Sequence, residues 1–425
     1  MLARVLALRI RSRLPGPFGS GALAHLPAGD EIPGARVLDR RLLRLAAPIA
    51  LGALALTACG SSSGGSSSSG GGKKTYTIAY QGPLSGDNAQ LGINMDNGVK
   101  LALDQAKGLP FNLKFTDSDD VGDPAQAPAA ARKLLDNSNV VAVVGPAFSG
   151  ATAASEPLFS QADLVSVSPS ATRADLTHLG FKSFVRVVTG DTIQGAQMAD
   201  YVAKALKAKT AYVVDDKSPY GAGLTKFVKE QLTTDGVTFK SEGLAPTKDY
   251  SAIATKAVAS KSDVLVYGGY FAELALFVKA LKSAGFKGAI VSGDGSKDDQ
   301  LVKQAGAAAE NVYLTCACGG PTPAGDATVE QFGKDYQAKF GSPPGTYSAE
   351  AFDAANLIIA AMKGLGSDIT RSSITAAVKK TSGFKGVSHT ITFDQNGEGG
   401  AGQIFMHQVK GGKITLLGDI AELAK

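Results

Sequence analysis

The residue with the most sharply defined chemistry in this sequence is Cys59, which closes the run Leu56-Thr57-Ala58-Cys59. Those four residues read as a lipobox. Arg36, Arg40, Arg41 and Arg44 precede an apolar segment, residues 45–56, too short to span a bilayer and long enough for a signal-peptide core. The predicted chemistry is alkylation of the Cys59 thiol by a diacylglyceryl group, with the mature chain starting there. Several acyl chains, at about 0.8 kcal/mol per buried methylene, anchor such a chain stably to a membrane. The tract at residues 61–72, made only of glycine and serine, would be the tether. A signal peptide starts only a few residues before its basic region, so residues 1–33 read as an over-called start, with an initiator expected near Val37.

Other reactive types are sparse. Cys316 and Cys318 have C-x-C spacing, too little for a structural zinc site, and read either as a disulfide closing a tight ring or as two small buried residues at a strand end. Beyond residue 58 the histidines are His178, His389 and His407, none in an H-E-x-x-H pair or beside a G-x-S-x-G elbow. Gly145-Pro146-Ala147-Phe148-Ser149-Gly150 lacks the lysine and spacing of a P-loop, and Gly293-Asp294-Gly295 lacks the third glycine of a dinucleotide fingerprint. Asp117, Asp119, Asp120 and Asp123 lack the order and terminal glutamate of a calcium loop and read as a solvated turn. These absences point to a non-enzyme with no cofactor and no metal.

Charge excludes another class. The chain carries 43 basic and 38 acidic side chains, of which residues 1–58 hold eight and three, so the remainder carries 35 of each. The basicity belongs to the targeting segment, and nucleic acid is not an expected partner.

The elements that must position any site are βα pairs. From Tyr76 onward, short β-branched runs alternate with amphipathic stretches, the pattern of parallel α/β sheets. Strands are expected at residues 77–80, 111–116 and 140–144. A helix over 88–107 carries Leu91, Met95 and Val99 on one side, and Pro124 is placed in the first turn of a helix ending near Asn137. A second series has helices at 192–206 and from Tyr220-Gly221, with strands at 211–214, 264–267, 289–291 and 312–315. Helices at 328–340, 348–363 and 374–380 follow, then strand-like 390–393, 403–408 and 414–417, with Gly411-Gly412 as a hairpin turn. Ser149 follows the wholly apolar run 140–144 and opens a helix. Its hydroxyl and nearby amides could receive a carboxylate against the helix dipole, or it could be an ordinary N-cap.

From Thr77 onward the chain resembles the leucine/isoleucine/valine-type substrate-binding proteins of ABC importers. The resemblance rests on ordered motifs: Gly82-Pro83-Leu84-Ser85-Gly86, Asp123-Pro124, Val144-Gly145-Pro146, Ser168-Pro169-Ser170-Ala171-Thr172, Arg186 through Asp191 to Gly195, Asp216 through Tyr220-Gly221, and Tyr267-Gly268-Gly269-Tyr270. It implies an α/β fold of two Rossmann-like lobes with parallel sheets, joined by three crossover strands, the type I periplasmic-binding-protein fold. The crossovers are expected near Asp191, near Thr315 to Gly320, and near Val387 to Phe393. The lobes would be residues 75–190 plus 318–387, and 191–317 plus 388–425, after a signal segment at 1–58 and a lipidated linker at 59–74.

The resemblance also implies a ligand set. Ser149, Ser170, Ala171 and Thr172 would hold an amino acid's main chain. Asp294, where relatives often carry glutamate, would face its ammonium group, and Asp191 matches a further binding position or is a structural acid at a crossover. Tyr220, Tyr270 and Tyr347 would close over the ligand, Leu91 and Phe148 would line the side-chain end, and Ala147 is a further ligand-binding position. Phe148 stands where a half-cystine can occur, with its partner near Val121, so that family disulfide is not expected. For each aromatic the alternative is plain core packing. The implied function is capture of a branched-chain or related amino acid in the interlobe cleft, outside the cytoplasm, by a lipid-anchored monomer that serves a permease and its ATPase subunits. The same fold could instead bind or sense an amide, urea or aromatic acid.

Overall fold

A computed structural model describes residues 73–318 and 326–425. The lipobox with Cys59, the glycine/serine tract and the Gly319-Gly320 end of the second expected crossover lie outside the described residues.

The first sheet is five-stranded and parallel. Strands β1 (Thr75–Gly82), β2 (Asn112–Asp119), β3 (Val140–Val144), β4 (Val165–Ser168) and β5 (Phe184–Arg186) run in the order β2-β1-β3-β4-β5. The β3 sequence Val-Val-Ala-Val-Val is buried at every position, as a central strand covered on both faces requires. Helices α1 (Ala89–Gln105), α2 (Ala127–Leu135) and α3 (Ser149–Gln161) connect these strands. The placement of Pro124 in the first turn of α2 is corrected. The Asp123 carboxylate accepts the Ala125 amide at 2.9 Å in a side-chain turn, which delays the helix to Ala127 and leaves Pro128 as its early proline.

After β5 the chain enters α4 (Asp191–Asp200), whose last turn widens to π geometry over residues 201–205. Four βα steps and a closing strand then follow: β6 (Thr210–Asp215), α5 (Pro219–Thr234), β7 (Thr238–Gly243), α6 (Ser251–Ser260), β8 (Val264–Gly268), α7 (Phe271–Ala284), β9 (Ala289–Ser292), α8 (Asp299–Ala305) and β10 (Val312–Cys316). The Leu274, Phe277, Val278 and Leu281 side chains of α7 are fully buried, each contributing about 1.5–3 kcal/mol. Cys316 and Cys318, both buried, are joined as a disulfide at the end of β10, with Cα atoms 5.0 Å apart.

The chain next returns to the first sheet through α9 (Ala327–Phe340), α10 (Ser348–Leu365) and α11 (Arg371–Lys379). Here α10 packs along α1, and α10 and α11 cover β3 and β4. The expected strand at 390–393 shrinks to a two-residue ladder of β11 (Phe384–Lys385) with β12 (Thr390–Ile391), because the Phe393 amide turns to the Thr381 carbonyl. The chain then rejoins the second sheet as β13 (Phe405–Lys410) and β14 (Lys413–Asp419), an antiparallel hairpin. Gly411 and Gly412 have φ of +57° and +72°, which a two-residue turn of this hand demands and glycine supplies without strain. The second sheet therefore reads β14-β13-β10-β9-β8-β6-β7, parallel except at β13 and β14. No helix among the described residues is long and apolar enough to cross a membrane.

Candidate functional site

The carboxyl ends of both parallel sheets face one cleft, the place where open α/β sheets bind ligands. A small pocket lies there, lined by Leu91 and Met95 of α1, the Ala147, Phe148 and Ser149 turn after β3, and Ser170 after β4. From the other side come Tyr220 at the start of α5, Tyr270 after β8, and Asp294 with Gly295 after β9, while Tyr347 precedes α10. Nine of the twelve expected ligand residues thus line one space. Ala171, Thr172 and Asp191 do not line it, although all three are fully buried nearby.

The wall built on the first sheet is a net of hydroxyls and backbone groups. Gly145 ends β3 with φ of +112°, and a Cβ there would stand 2.3 Å from the Gln81 carbonyl oxygen, so only glycine lets the turn pass this close to β1. Phe148 then occupies the N-cap of α3 and Ser149 its first turn. The N-cap alternative for Ser149 does not hold, since its hydroxyl accepts the Arg173 amide at 3.2 Å. Ser170 Oγ donates to the Ala147 carbonyl at 2.7 Å, and Ser168 Oγ donates to the Pro146 carbonyl at 2.7 Å, pinning the loop after β4 onto the turn after β3. Behind this loop the guanidinium of Arg186, 2% exposed, donates to the Ala171 and Arg173 carbonyls at 3.0 and 2.8 Å and makes a two-pronged ion pair with Glu398. The pair ties the loop to the last connecting segment.

Carboxylates and phenols make the opposite wall. Asp294 opens a 3₁₀ turn over Asp294–Ser296. Its Oδ1 accepts from Gln194 Nε2 at 2.7 Å and from the Tyr220 hydroxyl at 2.9 Å, while Oδ2 accepts from the Tyr347 hydroxyl at 2.8 Å. Burial raises its pKa against the lowering effect of those three donors. Asp191, the first residue of α4, is fully buried and neither oxygen has a hydrogen-bond partner. Burial and then the Asp294 charge push it up to about 7; the nearby Thr172 hydroxyl opposes the rise without meeting it in hydrogen-bond geometry. Tyr220 is held close by Gly221, where a Cβ would stand 2.4 Å from the Gly268 carbonyl oxygen.

Apolar and aromatic groups span the gap. Phe148 stacks on Tyr270 with ring centres 4.3 Å apart, and Tyr220 leans on Tyr270 at 5.2 Å. Phe148 also crowds Gly122, whose Cβ would stand 2.7 Å from the ring, so the ring fills the space beside Val121. At the rim, Asn88 donates to Glu273 at 3.1 Å, Asn94 donates to Asp298 at 3.1 Å, and Lys248 pairs with Asp87 at 2.7 Å. Among the described residues, no Lys, Arg or His lines the pocket. Among the described residues, no cluster of three or more His, Cys, Asp and Glu could hold a metal ion.

Sequence reasoning missed Gln194 and Thr315. Gln194 Nε2 also donates to Thr315 Oγ1 at 3.0 Å, linking α4, β10 and Asp294. Only the three-residue offset from Asp191 along α4 could have flagged Gln194 as sharing its face. Met95 was legible as an apolar helix position but not as cavity wall.

The sequence profile described as periplasmic binding protein matches residues 75–413. An amino acid binding protein of Pseudomonas aeruginosa is 30% identical over 68% of this chain and 79% of its own length. The Leu/Ile/Val-binding protein BraC3 of Rhizobium johnstonii is 29% identical, over 80% of this chain and 93% of its own. Among solved structures, the branched-chain amino acid transporter substrate binding protein LivJ from Streptococcus pneumoniae, in complex with isoleucine, superposes with a TM-score of 0.74 at 30% identity. That match covers 81% of this chain and 99% of LivJ.

Proposed function

This chain belongs to the periplasmic binding protein family, whose members bind solutes rather than transform them, and on that premise we propose that it captures a branched-chain or related amino acid between its lobes and delivers it intact to an ABC permease and its ATPase subunits. The observation that carries the reading is the polarity of the cleft. Ser149, Ser170 and the amides at the start of α3 lie on one wall and Asp294 on the other, with the buried Asp191 close to Asp294. An α-carboxylate belongs at the helix N-terminus, where the dipole and free amides favour negative charge. An α-ammonium belongs beside Asp294, because a buried charge left unpaired costs several kcal/mol. Leu91, Met95 and Phe148 offer the side chain an apolar end.

The lobes are residues 75–190 plus 318–387 and residues 191–317 plus 388–425, turning about the three connections between them. A micromolar dissociation constant corresponds to about 8 kcal/mol, within reach of a few charge-assisted hydrogen bonds and one buried aliphatic group after ordering costs. The protein acts as an extracytoplasmic monomer, held beside its permease by acyl chains on Cys59. Calorimetry against the twenty amino acids, with mass spectrometry of ligand carried through purification, tests the reading. Micromolar binding of leucine, isoleucine or valine and recovery of an unaltered amino acid are expected. An amide, urea or aromatic acid recovered in their place overturns the ligand, and a converted product overturns the carrier role. Anchoring is tested separately, since Cys59→Ala should move the protein from the membrane fraction to the soluble one.

A further inference from the structure

The acid wall has more hydrogen-bond acceptors than donors. Both oxygens of Asp191 and the Oε1 of Gln194 are buried without partners among the described residues, as is the Thr172 Oγ1 that reaches Asp191 from the first-sheet wall, all within residues that are 0% exposed. Apart from the Thr172 hydroxyl, which neither Asp191 oxygen meets in hydrogen-bond geometry, the donors around them are committed elsewhere. Gln194 Nε2 serves Asp294 and Thr315, and the Tyr220 and Tyr347 hydroxyls serve Asp294. Arg186 is taken by Glu398 and two carbonyls, and the Arg173 guanidinium by Asp175 at 2.5 and 2.8 Å.

We propose that this end of the cleft holds one exchangeable proton, carried by the Asp191–Asp294 pair, and that an arriving ammonium group expels it to solvent. The inference rests on the reading that the ligand carries such a group. Two buried carboxylates with no cation hydrogen-bonded to either favour the singly protonated state. The charged and titratable groups that face Asp191 are Arg173 from the loop after β4, Arg186 from β5, Tyr220 from α5, Tyr270 after β8, Asp294 after β9 and Tyr347 before α10, while Asp294 is also faced by the buried Lys297, which hydrogen-bonds to neither carboxylate. The two arginines lower the Asp191 pKa, but burial and Asp294 outweigh them and bring it to about 7. An ammonium brings three donors and no acceptor, which is what this wall lacks. In the exchange the carboxyl O–H bond breaks, its proton passes to water, and the carboxylate pairs with the incoming cation. At the acid end the ammonium's charge replaces the proton's, and nothing is oxidised.

The test is calorimetric titration of the protein with L-leucine at pH 6.5 in buffers of different ionisation enthalpy, followed by affinities from pH 5.5 to 7.5. The observed enthalpy should track the buffer enthalpy with a slope of roughly half to one proton released per leucine, and affinity should rise at least about fivefold across that range. Asp191→Asn should abolish the slope while remaining folded by circular dichroism. Leucine binding with no buffer dependence in the wild-type protein overturns the proton exchange and leaves the ligand reading standing, whether or not the variant folds. A slope unchanged in Asp191→Asn also overturns it. Failure of leucine, isoleucine and valine to bind at any pH refutes the ligand reading and the proposal with it.

Discussion

The two walls of the cleft solve the burial of polar groups in opposite ways. On the first-sheet wall each named hydroxyl but one is matched to a backbone partner nearby: Ser149 to Arg173, Ser168 to Pro146, Ser170 to Ala147, with Thr172 as the exception. On the second-sheet wall acceptors accumulate, and Asp191 is left with none of its hydrogen bonds made. A closed, self-satisfied wall is a scaffold that aims amides at a guest. An open one is a demand for donors. On the proposed reading, having both in one cleft gives the guest a direction: anionic end toward α3, cationic end toward Asp294.

Substitutions sharpen that contrast in order of size. Asp294→Ala should weaken leucine binding most, by thirtyfold or more, since truncating one partner of a buried hydrogen-bonded charge pair costs about 2–5 kcal/mol. Thr172→Ala should cost at least tenfold, about 1.4 kcal/mol, without unfolding the protein. Unchanged calorimetric affinity in both would remove the assignment of the main-chain contacts. Phe148→Ala, which deletes the ring stacked on Tyr270, should lower affinity for leucine roughly tenfold and for alanine much less, because only the larger side chain reaches that end. Equal losses for both ligands would show that Phe148 only braces Tyr270. Tyr347→Phe should have a smaller effect, a few-fold, equivalent to one hydrogen bond of about 1 kcal/mol to Asp294.

A control away from the cleft separates binding from stability. Glu156 of α3 is fully buried, and burial pushes it up to about 8 against a hydrogen bond from Ser166. A folded pKa above the ordinary carboxylate value means the folded state holds the proton longer than the unfolded chain. Its stabilising share is complete below about 4.5 and is lost as pH climbs toward 8. Thermal melts from pH 5 to 8 should fall more steeply for the wild-type protein than for Glu156→Gln. Equal slopes would remove Glu156 from the account.

Much of this arrangement was legible in the sequence for physical reasons that vary by element. The β3 run is apolar throughout because both its faces are covered, and the Gly411-Gly412 turn announces itself through the φ values only glycine takes easily. By contrast β7, Thr-Phe-Lys-Ser-Glu-Gly, sits at the sheet edge, mostly exposed and polar, so no hydrophobic period marks it. β5 has three residues, too few for a pattern. Site residues that follow strand ends, such as Ser149, were reachable from that rule, whereas the acids were recognised only through family resemblance. Gln194 acts through a contact with Asp294, 100 residues on in the chain, which no local pattern encodes.

The most direct test of a cleft with two opposed chemical ends is calorimetry of L-leucine beside two truncated analogues, 4-methylpentanoate without the amine and 3-methylbutylamine without the carboxylate. The account predicts micromolar leucine and at least hundredfold weaker binding for each analogue, a difference of about 2.7 kcal/mol or more. Either analogue binding as tightly as leucine would contradict it.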